Sequence, residues 1–265
     1  MVPPASSPAR AALDAARIHR ELGARGLAVE VRVAHTTGST NDDARRAAQL
    51  GTPAPAAFFA ETQTAGRGRS GARWHSPPGE NLYASVLLQP HVEPAEIAPL
   101  TLAVGAELAG VLERLAPGRV SIKWPNDLWL DGKKLAGILV EGQIRGERLA
   151  SVVVGVGVNV ATRLFPPELD AIATSLAQAG VDVDRNELAV ELVAAVLRAE
   201  ASFVERGISA WLVHLRALDA LRGRRVRVEA VEGLASGIDD LGRLLVEAPD
   251  GVHAIHSGHV ELSRD

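Results

Sequence analysis

The sequence predicts an α+β chain in which helices alternate with strands over residues 1–222 and a small all-β unit fills residues 223–265. Three observations carry this. A glycine-rich loop at 61–74, ETQTAGRGRSGARW, leaves a short apolar strand at 56–60. Helical and β-branched stretches alternate on both sides of it. From Gly223 the chain changes to short alternating runs separated by Gly and Asp-Gly, the spacing of a small five-stranded barrel.

Composition narrows the function. The apolar fraction of 47% and charged fraction of 23% are those of a soluble globular protein. Net charge is −4, so any phosphate affinity comes from local arginines and lysines. There is no cysteine, which excludes disulfides, thiolate nucleophiles, cysteine-ligated metals and an acyl relay through an enzyme thioester. No apolar run reaches membrane-spanning length, and the start, MVPPASSPARAAL, lacks a signal pattern. The expected location is the cytoplasm, with no membrane partner.

In chain order, Ser7-Pro8 predicts a helix start and Gly23 its stop. Residues 29–33 alternate as a strand. Ser39 or Thr40 caps a helix over 41–50 or, on a functional reading, binds a ligand at its N-terminus. A strand over 81–89 precedes a long amphipathic helix over 94–115. Lys123 ends a strand just before Pro125, Asp131-Gly132 turns, and a strand resumes over 134–144. Residues 152–160, VVVGVGVNV, form a strand whose Gly155 and Gly157 mark a bulge or a close approach. Asp184 caps a helix over 185–206, and a second covers 209–221. The barrel runs are 225–229, 234–238, 244–247, 252–255 and 259–262. His253, His256 and His259 recur every third residue, a period that faces no single side of a strand and argues weakly for metal.

Residues 66–71 match G-x-G-x-x-G, but Trp74, Pro77 and Pro78 follow where a dinucleotide site needs a helix. No kinase set, Walker lysine or G-x-S-x-G accompanies it. The loop's small residues let backbone N–H groups approach a ligand, and Arg67, Arg69 and Arg73 offer forked donors with no carboxylate evident nearby in the loop. The loop is therefore expected to be mobile without ligand.

Six motifs occur in order: GSTN at 38–41, ETQTAGRGR at 61–69, W-x-S-P-x-G-x-N-L-Y at 74–83, KWPND at 123–127, KLAGILVE at 134–141 and VGVGVN at 154–159. Together they resemble the biotin protein ligases, the biotin–[acetyl-CoA-carboxylase] ligases. The resemblance implies a mixed β-sheet flanked by helices, a class II synthetase-like biotin/lipoate ligase fold, with a C-terminal SH3-like barrel. It implies two steps. Biotin and Mg2+-bound ATP give biotinyl-5′-AMP, and a lysine of a biotin carboxyl carrier domain then takes the biotinyl group.

By position, the resemblance makes Lys123, Arg67 and Arg69 the catalytic cations. It gives biotin and its adenylate to Ser39, Thr40, Asn41, Gln63, Gly66, Arg67, Gly68, Arg69, Trp74, Lys123, Gly137, Gly155, Gly157 and Asn159. Residues 161–175 match where the family closes over adenine. The Mg2+ ligands are unknown, and Asp127 orients Lys123 or its strand end, with no chemical role assigned. Ala72 stands where many members carry a basic residue. With about 28 residues before the first strand, too few for a DNA-binding domain (about 50), the likeness is to the monofunctional members, monomeric or weakly dimeric, without specific DNA. Three other functions share parts of this pattern: lipoate or octanoyl transfer on the same fold, nucleic-acid binding through the arginine–glycine loop, and biotin sensing without catalysis.

Overall fold

Side-chain alternation along the strands separates two faces of one sheet, and the two faces do different work. The structure, a computed structural model, describes Ala9 and residues 11–263. Seven strands form the main sheet in the order β1-β2-β3-β7-β6-β5-β4. They are β1 (Glu30–Thr37), β2 (Ala56–Gln63), β3 (Leu82–Leu88), β4 (Val120–Lys123), β5 (Asp127–Leu130), β6 (Lys133–Arg145) and β7 (Arg148–Val158). Only β1 and β2 run parallel, so the sheet is mixed as expected. Ala57 and Phe59, Leu82 to Leu88 at even positions, and Val152 to Val158 at even positions join one core with the helices. Those helices are α1 (Ala15–Ala24), α3 (Leu100–Leu115) and α5 (Arg185–Arg206). The alternate positions of each strand face the other way. There, α2 (Thr40–Gln49) packs Ala44 and Ala47 on Ala56, Phe58, Leu87 and Val153.

Several boundaries differ from those expected. The predicted cap at Ser7-Pro8 lies outside the described residues. The first helix starts at Ala15, where Asp14 accepts the Arg17 N–H at 3.0 Å. Ser39 sits at the N-cap of α2 but its side chain makes no cap bond, which removes the capping reading of that residue. The helix expected over 94–115 is a single tight turn at Pro94–Glu96 followed by α3, because Pro99 has no N–H for a helical bond. The helix expected over 209–221 ends early. It is a turn at Gly207–Trp211 and then α6 (Leu212–Ala217). Residues 218–220 instead pair with β4: Ile122 N–H donates to Leu218 O at 2.7 Å and Ala220 N–H to Ile122 O at 3.0 Å. Covering that edge outweighs helix continuation. Strand β5 was not foreseen. The turn through the cis Trp124–Pro125 bond sets Lys123 and Asp127 opposite each other in the β4–β5 pair. A short helix, α4 (Pro167–Asp170), follows β7.

The C-terminal unit is a five-stranded antiparallel sheet in the order β11-β10-β9-β8-β12. Its strands are β8 (Arg225–Val228), β9 (Val231–Ile238), β10 (Leu244–Ala248), β11 (Gly251–Ile255) and β12 (Val260–Leu262), consistent with the expected SH3-like unit. It is not free of the rest. Buried Trp124 donates through Nε1 to Gly242 O at 3.0 Å, and Val226, Ile238 and Val260 share the main hydrophobic core.

The glutamate that opens the glycine-loop motif serves the fold. Glu61 accepts Leu13 N–H at 2.7 Å and pairs with the fully buried Arg185 at 2.8 Å. Arg185 also donates to Ala11 O and Asn81 O, so its charge is solvated by protein on all sides.

Candidate active site

The site face of the sheet is paved with glycine where α2 and the loop come down on it. Strand register puts Tyr83, Gly157 and Gly137 in one row and Ser85, Gly155 and Leu139 in the next. A side chain on Gly157 would stand 2.5 Å from Trp74 Cε2, and one on Gly137 would stand 3.0 Å from Trp74 Cζ3. The indole therefore lies across the glycine pair. A Cβ at Gly155 would collide with the Asn41 amide. The close approach read from VGVGVN is thus made by Asn41 and Trp74. Asn41 is fixed on both sides, donating to Glu141 at 2.6 Å while its Oδ1 lies 2.5 Å from Ser85 Oγ. Trp74 Nε1 is buried without a hydrogen-bond partner among the described residues.

The cavity above this floor is lined by Ser39, Thr40, Asn41, Gln63, Arg67, Gly68, Arg69, Trp74, Gly137, Gly155 and Gly157, which the sequence had named. Gln63 is the polar centre of its wall. Its Oε1 accepts the Thr40 N–H at 2.9 Å and its Nε2 reaches Ser76 Oγ at 3.3 Å. Gly66 backs this group: a side chain there would stand 2.9 Å from Gln63 Nε2. Asn159 does not line the cavity. Its amide donates to Thr174 O at 3.0 Å, tying β7's end to residues 161–175.

Lys123 is also elsewhere. It lines an adjoining cavity with Ser70, Gly71, Trp124 and Gly258, its Nζ 5.6 Å from the centre of the Trp129 ring. Burial pushes its ammonium below the usual lysine range, Asp127 opposes that, and Lys134 adds to it. The lysine that reaches the glycine-floored cavity is Lys134, which the sequence reading passed over. Its Nζ pairs with Asp127 Oδ1 at 2.7 Å and lies 5.4 Å from the Trp74 ring centre. Asp127 pairs with Lys134 and also faces Lys123 across the β4–β5 ladder, attracting its ammonium. Also unforeseen are Asn126, Tyr83 and, from the barrel, His259, all lining the first cavity.

Arg69, Ala72, Asn126, Asp127 and His259 line both cavities and form the wall between them. Burial lowers the Arg69 value, against the attraction of Asp127. The volumes are about 160 Å³ and 310 Å³. Ligand sites commonly run to about 300–1,000 Å³, so the two compartments together suit a two-part ligand better than the first alone. One compartment offers an indole laid across the Gly137–Gly157 pair and fixed amides. The other offers a desolvated lysine. Between them lie Arg69 and Asp127, the latter paired with Lys134 of the first compartment. Such an arrangement can hold an uncharged ring at one end and bring two anions together at the other. Among the described residues no group of three or more His, Cys, Asp or Glu is placed to hold a metal ion.

The expectation that the loop arginines lack carboxylate partners fails at Arg67. Its guanidinium grips Asp42 of α2 with two bonds, 2.6 and 2.7 Å.

Comparison with known proteins agrees with this geometry. Residues 33–159 match the Biotin/lipoate A/B protein ligase family, and residues 222–263 match the Biotin protein ligase C terminal domain. The chain is 38% identical over 257 residues to the bifunctional ligase/repressor BirA of Salmonella typhimurium, covering 94% of this chain and 78% of that protein. It is 34% identical to the biotin–[acetyl-CoA-carboxylase] ligase of Paracoccus denitrificans, covering 84% of this chain and 97% of that one. Among solved structures it resembles the biotin protein ligase of Aquifex aeolicus in complex with biotin and ATP. There the TM-score is 0.76 and identity 28%, over 89% of this chain and 99% of the other. With relatives matched along most of both chains and a site built from the same ordered motifs, the chain belongs to the biotin protein ligase family.

Proposed function

We infer that the protein is an ATP-dependent ligase that activates biotin as biotinyl-5′-AMP and transfers it to a lysine of a biotin carboxyl carrier domain. The observation that carries this is the pairing of family membership with a two-compartment site. Biotin's ureido ring is an uncharged bicyclic group with donors and an acceptor. It suits the cavity beside the Trp74 indole, among Ser39, Thr40, Asn41 and Gln63.

A biotin carboxylate oxygen attacks the α-phosphorus, the bond to the β-phosphate bridge breaks, and pyrophosphate leaves. Negative charge accumulates on the phosphoryl oxygens, and Lys134 and Arg69 stand at the mouth where it would be offset. Lys123 offers a second cation one compartment away, suited to the departing phosphates. Mg2+ enters with ATP as part of the substrate. In the second step the carrier lysine, as a neutral amine, attacks the acyl carbon, AMP leaves, and the amine loses a proton. The finer reading is a cytoplasmic ligase, monomeric or weakly dimeric, without a specific DNA partner. The net charge of −4 supports the last part.

Biotin-dependent exchange of labelled pyrophosphate into ATP tests the first step. Exchange with biotin and none with lipoate is expected. Exchange with lipoate alone, or none with either, would contradict the reading.

A further inference from the structure

Arg67 and Arg69 stand two positions apart in one loop, yet they are held differently. Arg67 Nη1 and Nη2 donate to the two oxygens of Asp42 at 2.6 and 2.7 Å, a forked contact. Asp42 lies in the first turn of α2, where a negative charge is favoured by the helix's free N–H groups. Arg45, one turn on, pairs with the same carboxylate, and Glu141 adds attraction for Arg67 at longer range. Arg69 feels Asp127 through space but shares no ion pair with it among the described residues.

The backbone around Arg67 is tied as well. Ala65 N–H donates to Gly38 O at 2.8 Å, Trp74 N–H to Gly66 O at 2.9 Å, and Gly68 N–H to Ala72 O at 2.7 Å. Arg67 and Arg73 face each other as an antiparallel bridge. A side chain on Gly66 would stand 2.9 Å from both Gln63 Nε2 and Ser76 Oγ, so the chain passes close to that wall. The first half of the loop is therefore anchored to α2 from one side and to the Gln63 wall from the other. Arg67 spends its guanidinium on Asp42, while Arg67 and Gly68 both line the cavity.

We propose that Asp42 is a positioning residue. It uses Arg67 as an anchor that holds the backbone of residues 66–68 at the cavity mouth before ligand arrives. The Arg67 side chain is then a structural clasp, while Arg69 is the loop cation that serves the reacting anions. This rests on the biotin-ligase reading for what the held backbone binds, but not for the clasp itself.

The test uses the full chain with Asp42→Asn, Asp42→Glu, Arg67→Gln and the double variant Asp42→Asn/Arg67→Gln. The first readout needs no ligand: hydrogen exchange of the amides at 65–68 in the free protein. The second is the split between KM for biotin and kcat in pyrophosphate exchange. Because both partners are about one-third exposed, Asp42→Asn and Arg67→Gln are each expected to speed amide exchange by about 3- to 10-fold. Each should raise KM for biotin by a similar factor, with kcat within about 2-fold of the parent. The double variant should be no worse than either single one, since both remove one contact, and Asp42→Glu should recover part of the loss. Unchanged exchange and KM in Asp42→Asn would overturn the proposal. So would a collapse of kcat in Arg67→Gln alone, or strictly multiplicative losses in the double variant. A parent without biotin-dependent exchange would count against the functional reading, and the amide exchange would still decide the clasp.

Discussion

The two adjoining cavities differ in how they are made. The first is floored by backbone: Gly137, Gly155 and Gly157 lie in register across β6 and β7, and Asn41 and Trp74 rest on them. Its shape is fixed by the sheet. The second is assembled from separate elements, with Lys123 from β4, Ser70 and Gly71 from the loop, and Gly258 and His259 beside β12. The contrast teaches that the rigid half of the site suits recognition, whereas the half built from loop and barrel suits chemistry that needs closure. It also separates the two lysines. Lys134 lines the first compartment, paired with Asp127 of the wall, while Lys123 sits in the second with its ammonium value depressed by burial.

The sharpest way to break this contrast is to remove each lysine. Lys134→Ala should lower kcat for biotin-dependent pyrophosphate exchange by about 100-fold or more, the usual cost of losing one preorganised charge. Lys123→Ala should cost about 10-fold, since its charge is one compartment away. Both should leave the circular dichroism spectrum unchanged. The reverse ranking would return the catalytic role to Lys123, as first expected from KWPND.

Arg69→Gly removes a cation from the wall between the compartments. Adenylate synthesis should persist, but biotinyl-AMP should escape about 10- to 150-fold faster, the equivalent of one charge-assisted hydrogen bond of about 1.5–3 kcal/mol. The released mixed anhydride acylates exposed lysines, so streptavidin blotting should show biotin on bystander albumin. A variant that stays specific for its carrier would show that Arg69 does not retain the adenylate.

Gly157→Ala probes the floor. The new methyl group would meet Trp74 at 2.5 Å, so the indole must lift. KM for biotin should rise by about 10-fold, one misplaced wall of a pocket, with a shift in tryptophan emission. Unaltered emission and KM would mean that the indole does not rest on the glycine floor.

The smallest effect is a pH dependence at the loop's base. The Arg67 guanidinium holds the Asp42 carboxyl below the usual carboxylate range. A lowered folded-state value means that the pair stabilises the protein fully above the unfolded value of about 4. That contribution fades as pH falls through the lowered value. With both groups about one-third exposed, it should amount to less than about 1 kcal/mol. The gap in melting temperature between the parent and Asp42→Asn should narrow on going from about pH 7 to about pH 3. A gap that widens on acidification would contradict the assigned direction.

How much of this was legible follows from where each signal lies. The glycines of VGVGVN announce a bulge or a close approach by themselves, because glycine is otherwise disfavoured inside an apolar strand. What approaches them was not legible, since Asn41 and Trp74 arrive from distant segments. Lys123 was chosen because KWPND is a compact motif. Lys134 was passed over because its facing depends on β5, which a proline turn concealed. Period-two reasoning set His259 aside, yet it precedes β12 and so escapes strand alternation altogether. Arg67 looked unpartnered because its carboxylate lies 25 positions away on another helix. Local patterns gave the sheet, the barrel and most of the cavity lining. The pairings that divide anchoring from chemistry needed the third dimension.

The most direct test of the central claim is the intact mass of a biotin carboxyl carrier domain after incubation with this protein, biotin and Mg2+-ATP. The account predicts the addition of one biotinyl group, on a single lysine, dependent on ATP and lost in Lys134→Ala. A carrier domain whose mass is unchanged while biotin and ATP are both present would contradict it.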